Sequence, residues 1–327
     1  MVSAQDWTLV WSDEFSGTSV DPANWNFETG GGGWGNNESQ YYTNQPANAI
    51  VENGELQIIA KEQTLGVYDY TSARMITRYL HSWMYGKVEA RIKLPMGQGI
   101  WPAFWMLGDN IGQVGWPQCG EIDVMEHVNN ENMTHGTMHW NYNGHQYYGG
   151  STSHDPTEYH VYSIEWDENN IKWFVDGVQY HNGNIANNVN NTDEFHHPFF
   201  ILLNVAVGGN WPGYPDETTV FPATMYVDYV RVYQQNVVGI EDYFSNDKPI
   251  VYPNPSKDVF HVALPENFES TLEMSLTDVM GKEVTFEKSV VSNQQLELNL
   301  SNLNAGTYLL KLYSKEETYN IRLIKFD

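Results

Sequence analysis

The stretch Tyr162-Ser-Ile-Glu-Trp-Asp-Glu-Asn-Asn-Ile-Lys-Trp-Phe-Val-Asp-Gly-Val178 has the pattern of two successive β-hairpins. Its apolar segments are short and rich in β-branched and aromatic residues, and turn residues separate them at Asp167–Asn170 and Asp176-Gly177. Further segments of this kind are Glu55–Ala60, Gly86–Leu94, Phe199–Ala206 and Met225–Tyr233. No window keeps a helical period over three turns. The pattern therefore predicts an all-β sandwich or barrel without helices for roughly the first 230 residues.

The composition divides the 327-residue chain in two. All 12 Trp precede residue 212, and the polar stretch Gln234–Pro249 follows the last strand-like segment of the first part. We predict a first domain over residues 1–235, a linker over 236–249 and a second domain over 250–327. Half-buried strands are predicted in the second domain at Leu272–Thr277, Gln295–Leu300 and Thr307–Tyr313.

Charge and cysteine content exclude several classes of protein. The formal net charge of −25 and the pI of about 4.6 disfavour nucleic acid and anionic membranes as partners. No apolar run approaches the ~20 residues that cross a bilayer, so no membrane insertion is expected. The single cysteine, Cys119, excludes an internal disulfide and a cysteine-rich zinc site. Because the N-terminus lacks the features of a signal peptide, either the protein is cytoplasmic or Met1 precedes a mature N-terminus near Ala4-Gln5.

The segment Gly120-Glu-Ile-Asp-Val-Met-Glu-His127 carries three acids within six residues. On a strand, Glu121 and Asp123 point to one face, whereas simple alternation places Glu126 on the other face. One additional residue in a β-bulge near Val124-Met125 brings Glu126 to the same face. The segment therefore predicts a sheet face with an aspartate between two glutamates.

Such a cluster suits glycoside hydrolysis. Like charges at close range cannot all stay ionised, so the pKa values of the carboxyl groups spread apart. A retaining glycosidase uses an ionised carboxylate to attack and a protonated carboxyl to donate to the leaving oxygen, about 5–5.5 Å apart. The alternative is a solvated acidic strand end. Nearby tryptophans and the pair His139-Trp140 favour the sugar site, because sugar faces stack on indole rings.

The first domain resembles glycoside hydrolase family 16, and within it the laminarinase (endo-β-1,3-glucanase) branch. The resemblance covers roughly residues 7–234 in collinear order, through Trp11–Phe15, Gly33–Thr43, Tyr85–Pro95, Gly99–Leu107, the acidic segment, Leu203–Gly209 and Val227–Tyr233. It implies a β-jelly-roll of the concanavalin A-like kind, in which two curved antiparallel sheets leave an open groove on the concave face. It implies no cofactor for catalysis.

The resemblance also implies roles for individual residues. Glu121 is the nucleophile, Glu126 is the general acid/base, and Asp123 orients the nucleophile and balances its proton. The five-residue spacing matches the laminarinase branch, with Met125 as the additional residue. The implied substrate-binding residues are Asn37, Arg74 and His139, with Trp101, Trp105 and Trp116 as stacking residues.

Each of these residues has a structural alternative. Asn37 is a candidate turn residue, His139 a buried hydrogen-bonding residue, and one of Trp101 and Trp105 a core residue. Before Arg74 this chain has Ala73, where the family often has glycine. The other histidines, including His196-His197, are interpreted as loop or surface residues.

The resemblance implies one structural Ca²⁺ on the convex side. Its ligands by position are the backbone oxygen of Glu14, the carbonyl of Gly54 and Asp228. Oxygen ligands of this kind suit calcium. The alternative for Asp228 is a strand-end acid near Arg231.

The second domain resembles the C-terminal sorting domain of type IX secretion. The matching segments are Ile250–Pro255, Leu276–Lys282, Leu300–Tyr308 and Asn320–Asp327. The resemblance implies a small Ig-like β-sandwich that the export machinery recognises, and a secreted or cell-surface protein whose signal peptide has been removed. The alternative is a carbohydrate-binding or spacer module, which the absence of Trp disfavours.

Three functions are compatible with these features. The favoured one is a retaining endo-hydrolase of β-1,3-glucan (laminarin), with mixed-linkage β-1,3/1,4-glucan as a further substrate. The second is a hydrolase of agarose, carrageenan or porphyran, which the small number of Lys and Arg residues in the first domain disfavours for sulfated substrates. The third is a non-catalytic glucan-binding protein; such relatives lose the carboxylates that are present here. A monomer is expected.

Overall fold

The computed structural model describes residues 7–235, 249–252, 254, 256–264, 273–279, 281–292, 295–313 and 318–326. Residues 236–248 of the predicted linker lie outside the described residues. The chain forms two compact units, the first of which ends at Gln235.

The first unit consists almost entirely of strands. In chain order these are β1 (Trp7–Asp13), β2 (Asn26–Glu28), β3 (Gln40–Tyr42), β4 (Ala49–Glu52), β5 (Glu55–Leu65), β6 (Tyr68–Ser72), β7 (Arg74–Ile76), β8 (Gly86–Lys93), β9 (Ile100–Gly108), β10 (Glu121–Glu126), β11 (Met133–Asn141), β12 (His145–Ser153), β13 (His160–Trp166), β14 (Asn170–Val175), β15 (Val178–Asn184), β16 (Phe199–Val207) and β17 (Ala223–Gln235). The all-β prediction is confirmed, although two short helical elements were missed. They are helix α1 (Ile111–Val114) and a 3₁₀ segment (Ala186–His196) that left-handed asparagines such as Asn187 and Asn190 interrupt.

The two predicted hairpins are present. Strands β13 and β14 pair from Tyr162–Val175 to Trp166–Ile171, and β14 continues into β15 through the pair Val175–Val178. Asp176 and Gly177 at this second turn have φ values of 50° and 76°. Positive φ at both central residues is the requirement of a two-residue turn that matches strand twist.

The strands form two sheets that enclose one apolar core. The ten-stranded sheet has the order β15-β14-β13-β8-β17-β5-β6-β3, with β1 paired to β17 and β4 to β5. The seven-stranded sheet has the order β12-β11-β10-β9-β16-β7-β2. Alternate residues of β8 point into the core, among them Val88, Ala90 and Ile92. On the seven-stranded sheet, the side chains of β9, β10 and β11 that point away from this core are available to form a site.

The second unit is a small β-sandwich. Its described strands are β18 (Ile250–Tyr252), β19 (Val259–Ala263), β20 (Glu273–Asp278), β21 (Glu283–Val284), β22 (Glu287–Ser292), β23 (Gln295–Asn299), β24 (Gly306–Tyr313) and β25 (Thr318–Lys325). Two four-stranded sheets, β18-β19-β23-β22 and β21-β20-β24-β25, share a core. Phe260 and Leu298 from one sheet pack in it with Leu276, Leu310 and Leu312 from the other. In the described part of the chain, no helix has the length and apolarity to cross a bilayer.

Candidate active site

The three acids of β10 share one face because the strand is bulged. Against β9, the pairing passes from Asp123–Trp105 directly to Met125–Phe104, so Val124 is the additional residue. The predicted bulge is confirmed, whereas the implied assignment of Met125 as the additional residue is wrong. Val124 is the residue without a partner because Met125 keeps its place opposite Phe104.

A glycine on β11 lies opposite this bulge. Asp123 pairs with Thr137 and Glu126 with His135, which leaves Gly136 facing two residues of β10. A Cβ atom at Gly136 would lie 2.3 Å from the ring of Trp173, so only glycine allows this ring to approach. The indole Nε1 of Trp173 donates a 2.8 Å hydrogen bond to the carbonyl of Asp123. Trp173 therefore supports the bulge from within the core.

Each glutamate of the cluster accepts a hydrogen bond from a tryptophan. Trp116 Nε1 donates to Glu121 Oε2 at 3.0 Å, and Trp101 Nε1 donates to Glu126 Oε1 at 3.0 Å. Trp101 comes from β9, whereas Trp116 lies in the loop that follows α1 and is 47% exposed. Both rings thus border the carboxyl groups and also present surface on which a sugar can stack.

His139 is the imidazole nearest to the acids. Its Nε2 lies 3.0 Å from Asp123 Oδ2 and 3.7 Å from Glu121 Oε1. The register explains this position, because His139 is paired with Glu121 across β10 and β11. On the other side of the ring, Nδ1 lies 2.8 Å from His145 Nε2.

Burial and mutual repulsion disfavour ionisation of the acids. Burial, with repulsion from Asp123, raises the pKa of Glu121 to about 8, and burial raises that of Asp123 to about 8 as well. Burial and the charges of Asp123 and Glu121 raise the pKa of Glu126 well above its ordinary value. His139, Trp116 and Arg74 act in the opposite direction on Glu121. The cluster therefore holds protons to a higher pH than separate, exposed acids would, and Glu126, hydrogen-bonded to Trp101, is a candidate proton donor.

An arginine and two indole rings form the next part of the site. The guanidinium of Arg74 lies 4.9 Å from the ring centroid of Trp34 and 4.7 Å from that of Trp105. The carboxylate of Glu28 holds this guanidinium in place through a 2.6 Å ion pair with Arg74 Nε. Trp105 Nε1 also donates to Asn204 Oδ1 at 2.7 Å. These contacts hold Trp105 as a rigid platform beside the carboxyl groups.

These parts line a single open cavity of about 900 Å³. It is large enough for several sugar rings of a polysaccharide. Of the predicted site residues, the structure brings together Arg74, Trp101, Trp105, Trp116, Glu121, Asp123, Glu126 and His139. The lining thus joins the three acids to stacking surfaces and hydrogen-bonding groups.

Asn37 does not line the cavity. It adopts a left-handed turn conformation with a φ of 58°, and its amide donates to Asn210 Oδ1 at 2.8 Å. Its neighbour Asn36 lines the cavity instead. The turn alternative therefore describes Asn37 better than a role in the lining.

The interpretation of the remaining histidines as loop or surface residues is wrong for His135, which is partly buried on β11 and lines the cavity. His127 follows β10 in a loop but is fully buried, and His145 is exposed but also lines the cavity. Alternation on β11 places His135 on the same face as His139, which is a signal that the sequence contained. Burial lowers the pKa of His127 to about 4, so this ring is neutral.

Four further lining residues were missed because they come from distant segments. They are Trp34, Glu38, Asn204 and Trp211. Glu38 is buried and accepts hydrogen bonds from Gln40 at 2.6 Å and Tyr42 at 3.2 Å. Glu38 and Gln40 lie in the stretch Gly33–Thr43, which the resemblance had singled out without a role for either.

The segments of the implied calcium site meet on the ten-stranded sheet. Asp13 pairs with Val230 and Leu56 with Val227, so the chain brings Glu14 and the Gly54 turn to the part of β17 that contains Asp228. Arg231 binds the carboxylate of Glu14 at 2.8 Å. Because this carboxylate already has a partner, the backbone oxygen of Glu14 is the atom that would bind the ion. Asp228 offers a carboxylate, one oxygen of which accepts from Arg91 at 2.7 Å. This oxygen-only donor set fits calcium.

In the cavity, ligand-type atoms of Glu121, Asp123 and His139 lie within 4.8 Å of one another. The contacts of the His139 imidazole with the two acids account for this approach, and we assign no metal to it.

Comparison with known families gives two matches. The family described as glycosyl hydrolases family 16 matches residues 36–231. The family described as the secretion system C-terminal sorting domain matches residues 250–325.

Similar proteins extend this comparison. A β-glucanase of Rhodothermus marinus is 44% identical over 250 residues, covering 71% of this chain and 86% of that protein. The clotting factor G alpha subunit of Tachypleus tridentatus is 40% identical over 310 residues, covering 92% of this chain but only 44% of that longer protein. The structure of the catalytic domain of an endo-1,3-β-glucanase (laminarinase) from Thermotoga petrophila RKU-1 is similar with a TM-score of 0.67 at 47% identity. It covers 71% of this chain and all of that one.

Proposed function

Because the chain belongs to glycosyl hydrolases family 16 and is a glycoside hydrolase, we propose that it is a retaining endo-hydrolase of β-1,3-glucan such as laminarin. Mixed-linkage β-1,3/1,4-glucan is a further substrate in this proposal. The observation that carries it is the bulged strand that places Glu121, Asp123 and Glu126 on one face of an aromatic-lined cavity. An open cavity admits the interior of a polymer, which is what an endo-acting enzyme requires.

The proposed reaction is a double displacement. The Glu121 carboxylate attacks the anomeric carbon while Glu126 donates its proton to the departing glycosidic oxygen, which leaves a glycosyl ester on Glu121. Glu126, now ionised, then takes a proton from water. The resulting hydroxyl attacks the anomeric carbon and releases the Glu121 carboxylate.

Asp123, Trp101 and Trp116 change how readily Glu121 and Glu126 ionise. The Trp101 N–H stabilises the ionised form of Glu126 in the second step, and the Trp116 N–H does the same for Glu121 as it attacks and leaves. Asp123, buried between them, raises the pKa of Glu126 by repulsion when it is ionised. We assign Arg74, Trp105 and His139 to binding of the sugar rings on either side of the scissile bond.

The test is the release of reducing sugar, with sizing of the products, from laminarin, lichenan, carboxymethyl-cellulose and agarose in parallel. Oligosaccharides from laminarin are expected. Activity on agarose alone would leave the carboxylate chemistry intact and overturn the substrate. Binding of laminarin without hydrolysis of any of the four polymers would indicate a glucan-binding protein. Light scattering in the same preparation tests the proposed monomer, which should give 37.5 kDa.

The C-terminal sorting domain implies a secreted or cell-surface protein. We propose that the type IX secretion machinery recognises residues 250–327. The chain, expressed behind a signal peptide of a host that has this machinery, should reach the medium or the cell surface. A host strain that lacks the machinery should retain it inside the cell.

We also propose that Ca²⁺ binds Glu14, Gly54 and Asp228 as a structural ion. The ion would link the ends of β1 and β4 to β17, and it has no part in the reaction. Calcium should raise the melting temperature of the EDTA-treated protein, and Asp228→Asn should reduce that rise. An equal rise in protein and variant would contradict the assignment of Asp228.

A further inference from the structure

Two imidazole rings connect the carboxyl groups to the rim of the cavity. His139 lies beside Asp123 and Glu121, and its Nδ1 lies 2.8 Å from Nε2 of His145, the first residue of β12. The ring planes are inclined by only 17° and the ring centroids are 5.1 Å apart. This is the geometry of an in-plane N–H···N hydrogen bond, since rings stacked face to face would bring the centroids closer.

The number of protons in this contact is limited. One hydrogen lies between His139 Nδ1 and His145 Nε2, and a second one would face it across 2.8 Å. If His139 is protonated on both nitrogens, His145 must present a bare Nε2 and stay neutral. The pair therefore carries at most one positive charge.

The surroundings decide which ring carries that charge. The titratable groups that face the pair are Asp123 and Glu121 on β10 and Tyr147 on β12, whose ring centroid is 6.1 Å from both imidazoles. Only His139 reaches the acids, whereas His145 packs on the indole of Trp116 at 4.6 Å. Burial and the neighbouring His139 lower the pKa of His145, which agrees with a neutral His145.

We propose that His145 is a positioning residue that accepts a hydrogen bond from the protonated His139 and thereby holds a positive charge beside the nucleophile Glu121. This inference rests on the proposed glycosidase function. The charge favours the ionised form of Glu121 that attacks the sugar, and His139 is one of the groups that lower the pKa of Glu121. Without the acceptor, the N–H of the charged ring would lose its protein partner at the rim of the cavity, which disfavours the charged form.

The test compares two variants at this position. His145→Phe keeps a ring against Trp116 but removes the acceptor, whereas His145→Gln keeps an acceptor oxygen. In the Phe variant we expect the acidic limb of the kcat/KM profile to move to higher pH by about one unit, with a tenfold loss at pH 5. KM should stay within about twofold because the ring is retained, and the Gln variant should recover most of the loss.

His81→Phe is the matched control, because His81 is also packed against a tryptophan but lies outside the cavity lining. An unchanged acidic limb in His145→Phe, or a Gln variant no better than the Phe variant, would overturn the proposal.

A readout without substrate separates this proposal from the glycosidase assignment. The ¹⁵N resonances of the His139 ring at pH 6 should show hydrogen on both nitrogens in the wild type and on one nitrogen in His145→Phe. A neutral His139 in an active wild-type enzyme would overturn the role of His145. A wild type that hydrolyses no glucan, but shows the expected resonances, would instead contradict the proposed function.

Discussion

Acidic side chains occupy two contrasting environments in the first unit. On the ten-stranded sheet, each of several acids has its own cationic partner, as in the pairs Glu89–Lys87 at 2.6 Å, Asp228–Arg91 at 2.7 Å and Glu14–Arg231 at 2.8 Å. In the cavity, three acids crowd one another and share His139. Pairing with Arg231 lowers the pKa of Glu14, whereas burial, together with crowding by the other acids, raises that of Glu126. Paired acids therefore support the fold, whereas the crowded acids hold protons at a cost in stability.

The largest effect is expected from Glu121→Gln, which removes the proposed nucleophile and keeps the shape of its side chain. Hydrolysis of laminarin should fall by about 10⁴-fold or more, since the proposed mechanism forms its covalent intermediate on the Glu121 carboxylate. Retention of substantial activity would show that Glu121 is not the nucleophile. Initial rates with matched amounts of folded protein provide the measurement.

The stability of the same variant also tests the comparison between paired and crowded acids. The pKa of Glu121 is about 8 in the folded protein, well above the value of 4.5 that it has without the fold. The folded state thus binds more protons between these values, and the wild type should lose stability as the pH rises from about 5 to 8. Glu121→Gln should be more stable than the wild type at pH 8 and lose less over this range.

Glu89→Gln is the matched control on the other sheet. Glu89 is buried with Lys87 and Tyr233 as partners, so its neutralisation should lower the melting temperature and leave activity unchanged. Thermal melts of both variants at pH 5 and pH 8 test this difference in sign. Equal changes in both variants would contradict the distinction between paired and crowded acids.

The sequence predicted β10 well, because the face to which each residue of a strand points depends only on its neighbours in the chain. Three acids on one face of a strand with five-residue spacing require a bulge, and the bulge is present. The strands and both hairpins were equally local features. Where the resemblance named Met125 as the additional residue, the pairing with β9 identifies Val124 instead, which no local pattern reveals.

Residues whose position depends on long-range strand pairing were harder to predict from the sequence. His135 faces the cavity because β11 pairs with β10, and Asn204 and Trp211 come from segments that follow the acids at a long distance in the chain. Asn36 rather than Asn37 lines the cavity because the turn at this point places Asn37 in a left-handed conformation. Such details depend on turn geometry, which alternation of residue types does not encode.

A smaller effect is expected from Gly136→Ala, which crowds Trp173 beneath the bulge and leaves the acids unchanged. The added methyl group would lie 2.3 Å from Trp173, so either this ring or β11 must move. We expect a loss of about 1–3 kcal/mol in the free energy of unfolding, as for overpacked cores. Activity should fall as well, because Trp173 also holds the carbonyl of Asp123.

The matched control is Gly17→Ala, where a Cβ atom would meet its nearest neighbour at an ordinary 3.6 Å. Urea denaturation and laminarin hydrolysis should distinguish the two glycines. A Gly136→Ala protein with wild-type stability and activity would show that the core accommodates the methyl group, and would contradict the requirement for glycine opposite the bulge.

The smallest effect is expected from Arg231→Gln, which unpairs Glu14 on the ten-stranded sheet. Both side chains are partly exposed, at 31% and 44%, so the lost contribution to the free energy of unfolding should be below about 1 kcal/mol. Because the fold lowers the pKa of Glu14, the pair contributes above the ordinary pKa of a glutamate and its contribution is lost as the pH falls. Urea denaturation should show a difference from the wild type at pH 7 that shrinks at pH 3 and in high salt. A difference that stayed the same on acidification would mean that Arg231 stabilises the protein by packing on Tyr229, whose ring centroid is 3.7 Å from its guanidinium, rather than by pairing with Glu14.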